Sequence, residues 1–140
     1  MNHPHPLISR GLLLAGAYNI LGVLVFSAGF SNAGLSEPDP EVFSTLGLFA
    51  IMLWGAAYAS IWRQYGQVPW LLLVFGVEKL LYLGNWLLWL SNNGADLPVL
   101  FAQAPLTGMF YAVYGAGDGL FAVFFFYAAY LVLRGAKRAG

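Results

Sequence analysis

The sequence predicts an all-α fold, a polytopic membrane protein in which four transmembrane helices form one bundle and one domain over residues 1–140. Three observations predict it. The chain is 60% hydrophobic and only 9% charged, against roughly 45–50% and about 25% for soluble domains. Its apolar residues gather into four segments, each reaching the ~20 residues a helix needs to cross a ~30 Å hydrocarbon layer. The stretches between them carry turn chemistry. A β-barrel does not fit, because no strand-length stretch alternates polar with apolar residues throughout. Helices satisfy their own backbone hydrogen bonds in lipid and are the expected form.

The four segments run over Leu7–Ala28, Val42–Trp62, Val68–Ser91 and Leu106–Leu133. The stretch Gly11–Ala33 resembles a secretory signal, with Ser31–Asn32–Ala33 as a small-residue cleavage site. Its apolar run exceeds the ~7–15 residues of such signals, which favours an uncleaved helix. The connection Ser31–Glu41 contains Asp39 before Pro40, a pattern suited to an N-cap followed by proline at the first helical position. The link Gln64–Pro69 is short, so the second and third helices are expected to be antiparallel neighbours. In the longer Asn92–Pro105 connection, the apolar Leu97–Ala102 suits a short interfacial helix. Gly47–Tyr58 and Gly119–Tyr130 match at Gly, Leu, Phe, Ala, Ala, Ala and Tyr, and Asn19 and Asn85 are rough counterparts in helices one and three. A duplicated two-helix hairpin and chance similarity between apolar helices account for this echo about equally well.

Charge sets an orientation. Arg10, Arg63, Arg134, Lys137 and Arg138 flank one side, and Glu37, Asp39, Glu41 and Asp96 lie in the other two loops. The positive-inside bias then puts both termini in the cytoplasm. Trp62, Tyr65 and Trp70 near that side read as an interfacial aromatic belt rather than a ligand cage.

Counting residues along each helix brings Asn19, Glu78, Lys79 and Asp118 to one depth near mid-bilayer, at ~1.5 Å per residue. A charge at the helix centre costs ~2.5–3.5 kcal/mol on insertion scales, so these groups should face inward and meet. Lys79 with Asp118 is the expected pair. Glu78, turned by about 100° from its neighbour, must find another donor, share the lysine or carry a proton. Helical spacing adds Tyr82, Asn85 and Trp89 below Glu78, Tyr111 and Tyr114 beside Asp118, and Trp54, Tyr58 and Trp62 on helix two. Such a lining offers rings for apolar surface and hydroxyls for hydrogen bonds. The candidate ligand-binding set is therefore Asn19, Tyr58, Glu78, Lys79, Tyr82, Asn85, Tyr111, Tyr114 and Asp118. The competing structural reading makes the Lys–Asp pair a register lock, although buried pairs are not reliably stabilising. Gly115 and Gly119 read as a close helix contact, or as a weak point near Asp118. Tyr114–Gly119 is no phosphate loop, since it sits inside a span and lacks the following Lys-Ser/Thr.

Several chemistries are excluded. Without cysteine there is no disulfide, thiolate or iron–sulfur site. No histidine lies within a span, so bis-histidine haem ligation is ruled out, and His3 with His5 in a terminal tail makes a poor metal pair. Zero net charge and no basic run leave nothing to follow a nucleic-acid backbone. No metal and no cofactor is expected.

The stretches Ala17–Asn19, Gly55–Tyr58, Gly76–Tyr82 and Gly117–Phe125 together resemble a broad group of small bacterial four-helix membrane proteins, loosely similar to DoxX-like proteins. The resemblance spans nearly the whole chain through short motifs. It implies a bacterial inner-membrane protein with Lys79 and Asp118 as its signature charges, and it carries no activity. Glu78 stands outside that pattern. The function expected from these residues is binding, with transport as its extension, of an amphipathic or lipidic small molecule. The alternatives are an accessory subunit packed against another membrane protein or a second copy, and a membrane isomerase in which Glu78 or Asp118 moves a proton.

Overall fold

The computed structural model describes residues 5–139, with side chains for residues 5–136. His3 and the side chains of Lys137 and Arg138, which entered the metal and orientation readings, lie outside the described residues. Five helices follow one another: α1 (Pro6–Phe26), α2 (Thr45–Ser60), α3 (Pro69–Asn93), α4 (Leu97–Gln103) and α5 (Pro105–Ala139). There is no strand among the described residues. Three stretches are long and apolar enough to cross a membrane: Pro6–Phe26, Pro69–Gln103 and Pro105–Ala136. The apolar helix α2 has 16 residues and is shorter.

Local chemistry sets the boundaries. Proline opens α1, α3 and α5, where a missing N–H costs nothing. α2 starts three residues later than the apolar run, because Ser44 is its N-cap and its Oγ accepts from the Gly47 N–H at 3.1 Å. Asp39 therefore caps no long helix. Its carbonyl closes one isolated turn with the Phe43 N–H at 3.0 Å, and its carboxylate is engaged elsewhere. α1 ends at Phe26, two residues before the expected Ala28. There Ala28, Gly29 and Phe30 adopt φ of 48°, 64° and 69°. Left-handed backbone costs non-glycine residues about 1 kcal/mol or more. Ser27 Oγ offsets part of this by accepting from the Phe30 N–H at 3.0 Å, and the Asn32 side chain donates to the Phe26 carbonyl at 3.0 Å.

Packing runs by hairpins, α1 against α2 and α3 against α5. The first seam is backbone on backbone: a Cβ at Gly55 would lie 2.8 Å from the Gly16 carbonyl oxygen, and one at Gly16 would lie 2.7 Å from that of Gly55. In the second, Gly115 leaves room for the Trp86 ring and Gly76 for Phe126. Gly119 lies 3.5 Å from Leu83 by the same measure, so the expected small-residue contact of α5 is made against α3.

The expected neighbours α2 and α3 touch through side chains, without the close backbone packing of the other seams. They touch where Trp54 and Tyr58 meet Phe75, with ring centroids 6.2 and 4.8 Å apart, and where the Tyr58 hydroxyl reaches Glu78. These bulky rings hold the backbones apart, whereas glycines draw α2 onto α1. Between α2 and α3 a groove remains.

Two apolar cores bracket the polar layer. Near the termini, Ile8, Leu12, Tyr58, Leu72, Phe75 and Phe125 cluster. At the opposite end Val23, Leu35, Phe43, Trp89, Phe110 and Tyr111 do so. All four longer helices, α2 included, turn large apolar side chains outward, such as Leu14, Leu53, Leu81 and Leu120. Such a surface suits contact with a lipid bilayer. Of the aromatic belt, Trp70 is exposed, and Trp62 carries the Arg63 guanidinium 4.2 Å above its ring. Tyr65 instead is buried and hydrogen-bonded to the His5 backbone, tying the α2–α3 link to the start of α1.

Candidate functional site

The polar layer is built around Lys79, which is 1% exposed. Its Nζ donates to Asp118 Oδ1 at 2.7 Å and to Asn19 Oδ1 at 2.7 Å. The rings of Tyr58 and Tyr18 stand 5.3 and 5.5 Å from the ammonium, close enough for cation–π attraction. Asn19 is itself fixed across the α1–α2 seam, donating to the Ile51 carbonyl at 3.0 Å. The glycine contact at Gly16–Gly55 one turn away is what brings that carbonyl within reach. Lysine, aspartate and asparagine from three helices thus close into a satisfied unit.

Glu78 is treated differently. Tyr58 donates its hydroxyl to Oε2. Oε1 has no hydrogen-bond partner, although the residue is only 5% exposed. A buried acceptor left without a donor is costly, and the residue that carries this one lines two cavities. An inner chamber of about 90 Å³ has Asn19, Glu78, Lys79 and Asp118 in its lining and the rings of Phe26, Phe43 and Phe110 as apolar wall. That volume exceeds the ~10–15 Å³ needed for one water and suits a head group. The second cavity is the α2–α3 groove, about 610 Å³, with Trp54, Val74, Val77 and Leu81 as its apolar walls. Small-molecule sites typically measure ~300–1,000 Å³. Glu78 and Tyr82 line both spaces.

A second polar tier lies beyond the layer, away from the termini. Asn85 donates to Asp39 Oδ2 at 2.7 Å and to the Tyr114 hydroxyl at 3.1 Å. Trp89 donates its indole N–H to the Pro38 carbonyl at 3.1 Å, and the Tyr111 hydroxyl donates to the Leu35 carbonyl at 2.9 Å. The Asn32 side chain reaches Thr107 Oγ1 at 3.2 Å. The α1–α2 loop is therefore folded down onto α3 and α5, with Leu35 and Phe43 as its buried plugs. Of the nine candidates, Asn19, Tyr58, Glu78, Lys79, Tyr82 and Asp118 gather at the layer. Asn85 and Tyr114 belong to the second tier, where Tyr114 also lines the chamber. Tyr111 serves the loop and does not reach the layer.

Sequence reasoning missed two participants. Tyr18 lines the chamber and donates to the Tyr114 carbonyl at 2.9 Å, in room left by Gly117. Its neighbour Asn19 was the signal available. Asp39 was read as a loop acid and helix cap, and nothing local foretold its bond to Asn85.

Chemically, Asp118 is committed to the lysine. Of the two acids considered for proton transfer or ligand contact, Glu78 alone has a fully buried oxygen without a hydrogen-bond partner, and Asp118 engages the lysine through Oδ1. Among the described residues no group of three or more metal-ligating side chains gathers. Compared with protein-family models, with curated proteins and with solved structures, the chain matches none.

Proposed function

We propose that this chain is a four-span integral membrane protein that binds an amphipathic or lipidic small molecule at Glu78, with its termini in the cytoplasm of a bacterial cell. One observation carries the binding reading: Glu78, with one carboxyl oxygen buried and unpartnered at mid-helix depth, is a residue that lines both a polar chamber and an apolar groove. A lock would be satisfied, as Lys79 with Asp118 is. The head of the ligand meets the polar layer and its body lies along Trp54, Val77 and Leu81. The four-helix architecture suggested by the DoxX-like resemblance agrees with this reading and adds no activity to it.

The orientation is supported by Arg10, Arg63 and Arg134 at one end and Glu37, Glu41 and Asp96 at the other. Single cysteines at Gln67 and Ser36, in this cysteine-free chain, test it in intact cells with an impermeant maleimide. Ser36 should label and Gln67 should not; the reverse pattern inverts the topology. Binding is tested by native mass spectrometry of the purified protein and of Glu78→Gln. A co-purifying small molecule retained by the wild type and weakened in the variant is the expected result. Bare protein in both spectra would favour an accessory subunit instead.

A further inference from the structure

The binding reading leaves the sign of the ligand's charge open, and the layer's own charges address it. Lys79 is the single base buried there, against two acids, Glu78 and Asp118. Its ammonium is drawn to Asp118 and Asn19 at 2.7 Å each, so Asp118 has a counter-ion and Glu78 has only the neutral Tyr58 hydroxyl. With both carboxylates ionised, the layer lacks one positive charge. In a low-dielectric setting an unbalanced charge attracts a counter-charge strongly.

The groove that leads to Glu78 has the same bias. A carboxylate stands at each end, Glu78 inside and Glu41 at the loop end, and no lysine or arginine lines it. Asn85 and Tyr82 add polar groups along the way, and Trp54 presents an indole of the kind that attracts cations. The flanking Val74 and Val77 are about half exposed to the surroundings and Leu81 more so, so an apolar tail can enter sideways. An anionic amphiphile would pass one carboxylate and end on another.

We propose that the ligand recognised at Glu78 is an amphipathic cation, a protonated amine whose N–H donates to Oε1 and whose apolar tail lies in the α2–α3 groove. This rests on the binding reading, and the test separates the two. The purified full chain in mild detergent is offered three probes with one tail and different heads: decylammonium, decanol and decanoate. Retention is read by native mass spectrometry for the wild type, Glu78→Gln and the groove-filling Val77→Trp. Decylammonium should be retained about tenfold or more over both others, the scale of a charge-assisted hydrogen bond. That preference should collapse in Glu78→Gln, and all retention should fall in Val77→Trp. Equal or better retention of decanol or decanoate, blocked by Val77→Trp, overturns the cation while leaving the binding reading intact. No probe retained by the wild type overturns both. An ammonium preference unchanged in both variants overturns the site. Should Glu78→Gln fail to fold, the wild-type ranking of heads and the Val77→Trp block decide the matter.

Discussion

The two flanks of the polar layer sit at one depth and are built on opposite plans. On the closed flank, Lys79, Asp118 and Asn19 bond to one another across α3, α5 and α1, and Gly16 meets Gly55 backbone to backbone across the α1–α2 seam. On the α2–α3 flank, aromatic rings hold the helices apart, a groove runs between them, and Glu78 keeps an oxygen free. Adjacent residues on one helix thus face a closed seam and an open one. The contrast teaches that polarity inside a bundle is not one property. Spent on a partner it fixes register, and left unspent beside a cavity it is available to a ligand.

The comparison is most easily broken at the closed flank. Lys79→Met alone, or Asp118→Asn alone, should lose about 3–5 kcal/mol, because each strands a buried partner. Lys79→Met combined with Asp118→Asn should be milder than the worse single change. Denaturation in detergent, arranged as a double-mutant cycle, checks this, and strictly additive losses would refute the coupling. The seams themselves give a smaller effect. Gly55→Ala pushes a methyl against the Gly16 carbonyl and should cost about 1–3 kcal/mol. Val77→Phe, in the groove, should stay within about 0.5 kcal/mol of wild type. Equal costs would mean that the groove is as tightly closed as the seam. The smallest effect belongs to Glu78→Gln, which keeps shape and the Tyr58 contact while removing an uncompensated charge. Its stability should match or slightly exceed the wild type, and a loss comparable to that of Asp118→Asn would make Glu78 a structural residue after all.

The helices and the layer were legible because depth in a helix is a matter of counting. A fixed rise per residue brings Asn19, Lys79 and Asp118 together without knowledge of any contact. What stayed hidden depends on the fold as a whole. Ala28 and Phe30 carry no sign of left-handed backbone, so the sharp exit from α1 and the descent of its loop could not be foreseen. The bond from Asn85 to Asp39 depends on that descent. Link length does not tell how closely α2 and α3 pack, since that depends on which residues face each other, glycine toward α1 and Tyr58 with Trp54 toward Phe75. The repeat echo shows the same limit: Tyr58 is buried on Glu78, while its counterpart Tyr130 is half exposed and accepts from Arg134.

The brevity of α2 reaches beyond the protein. At 16 residues it is about 24 Å long, some 6 Å less than the hydrocarbon thickness of a typical bilayer. If α2 crosses the bilayer as proposed, lipid beside it must thin to match it, or the helix must carry polar loop residues below the headgroup level, and either adjustment costs fractions of a kcal/mol per Å. The helices on the other flank are longer and impose no such mismatch. On the proposed four-span reading, a bilayer that thins beside α2 would be dimpled along the edge where the groove opens, bringing headgroups toward Glu78.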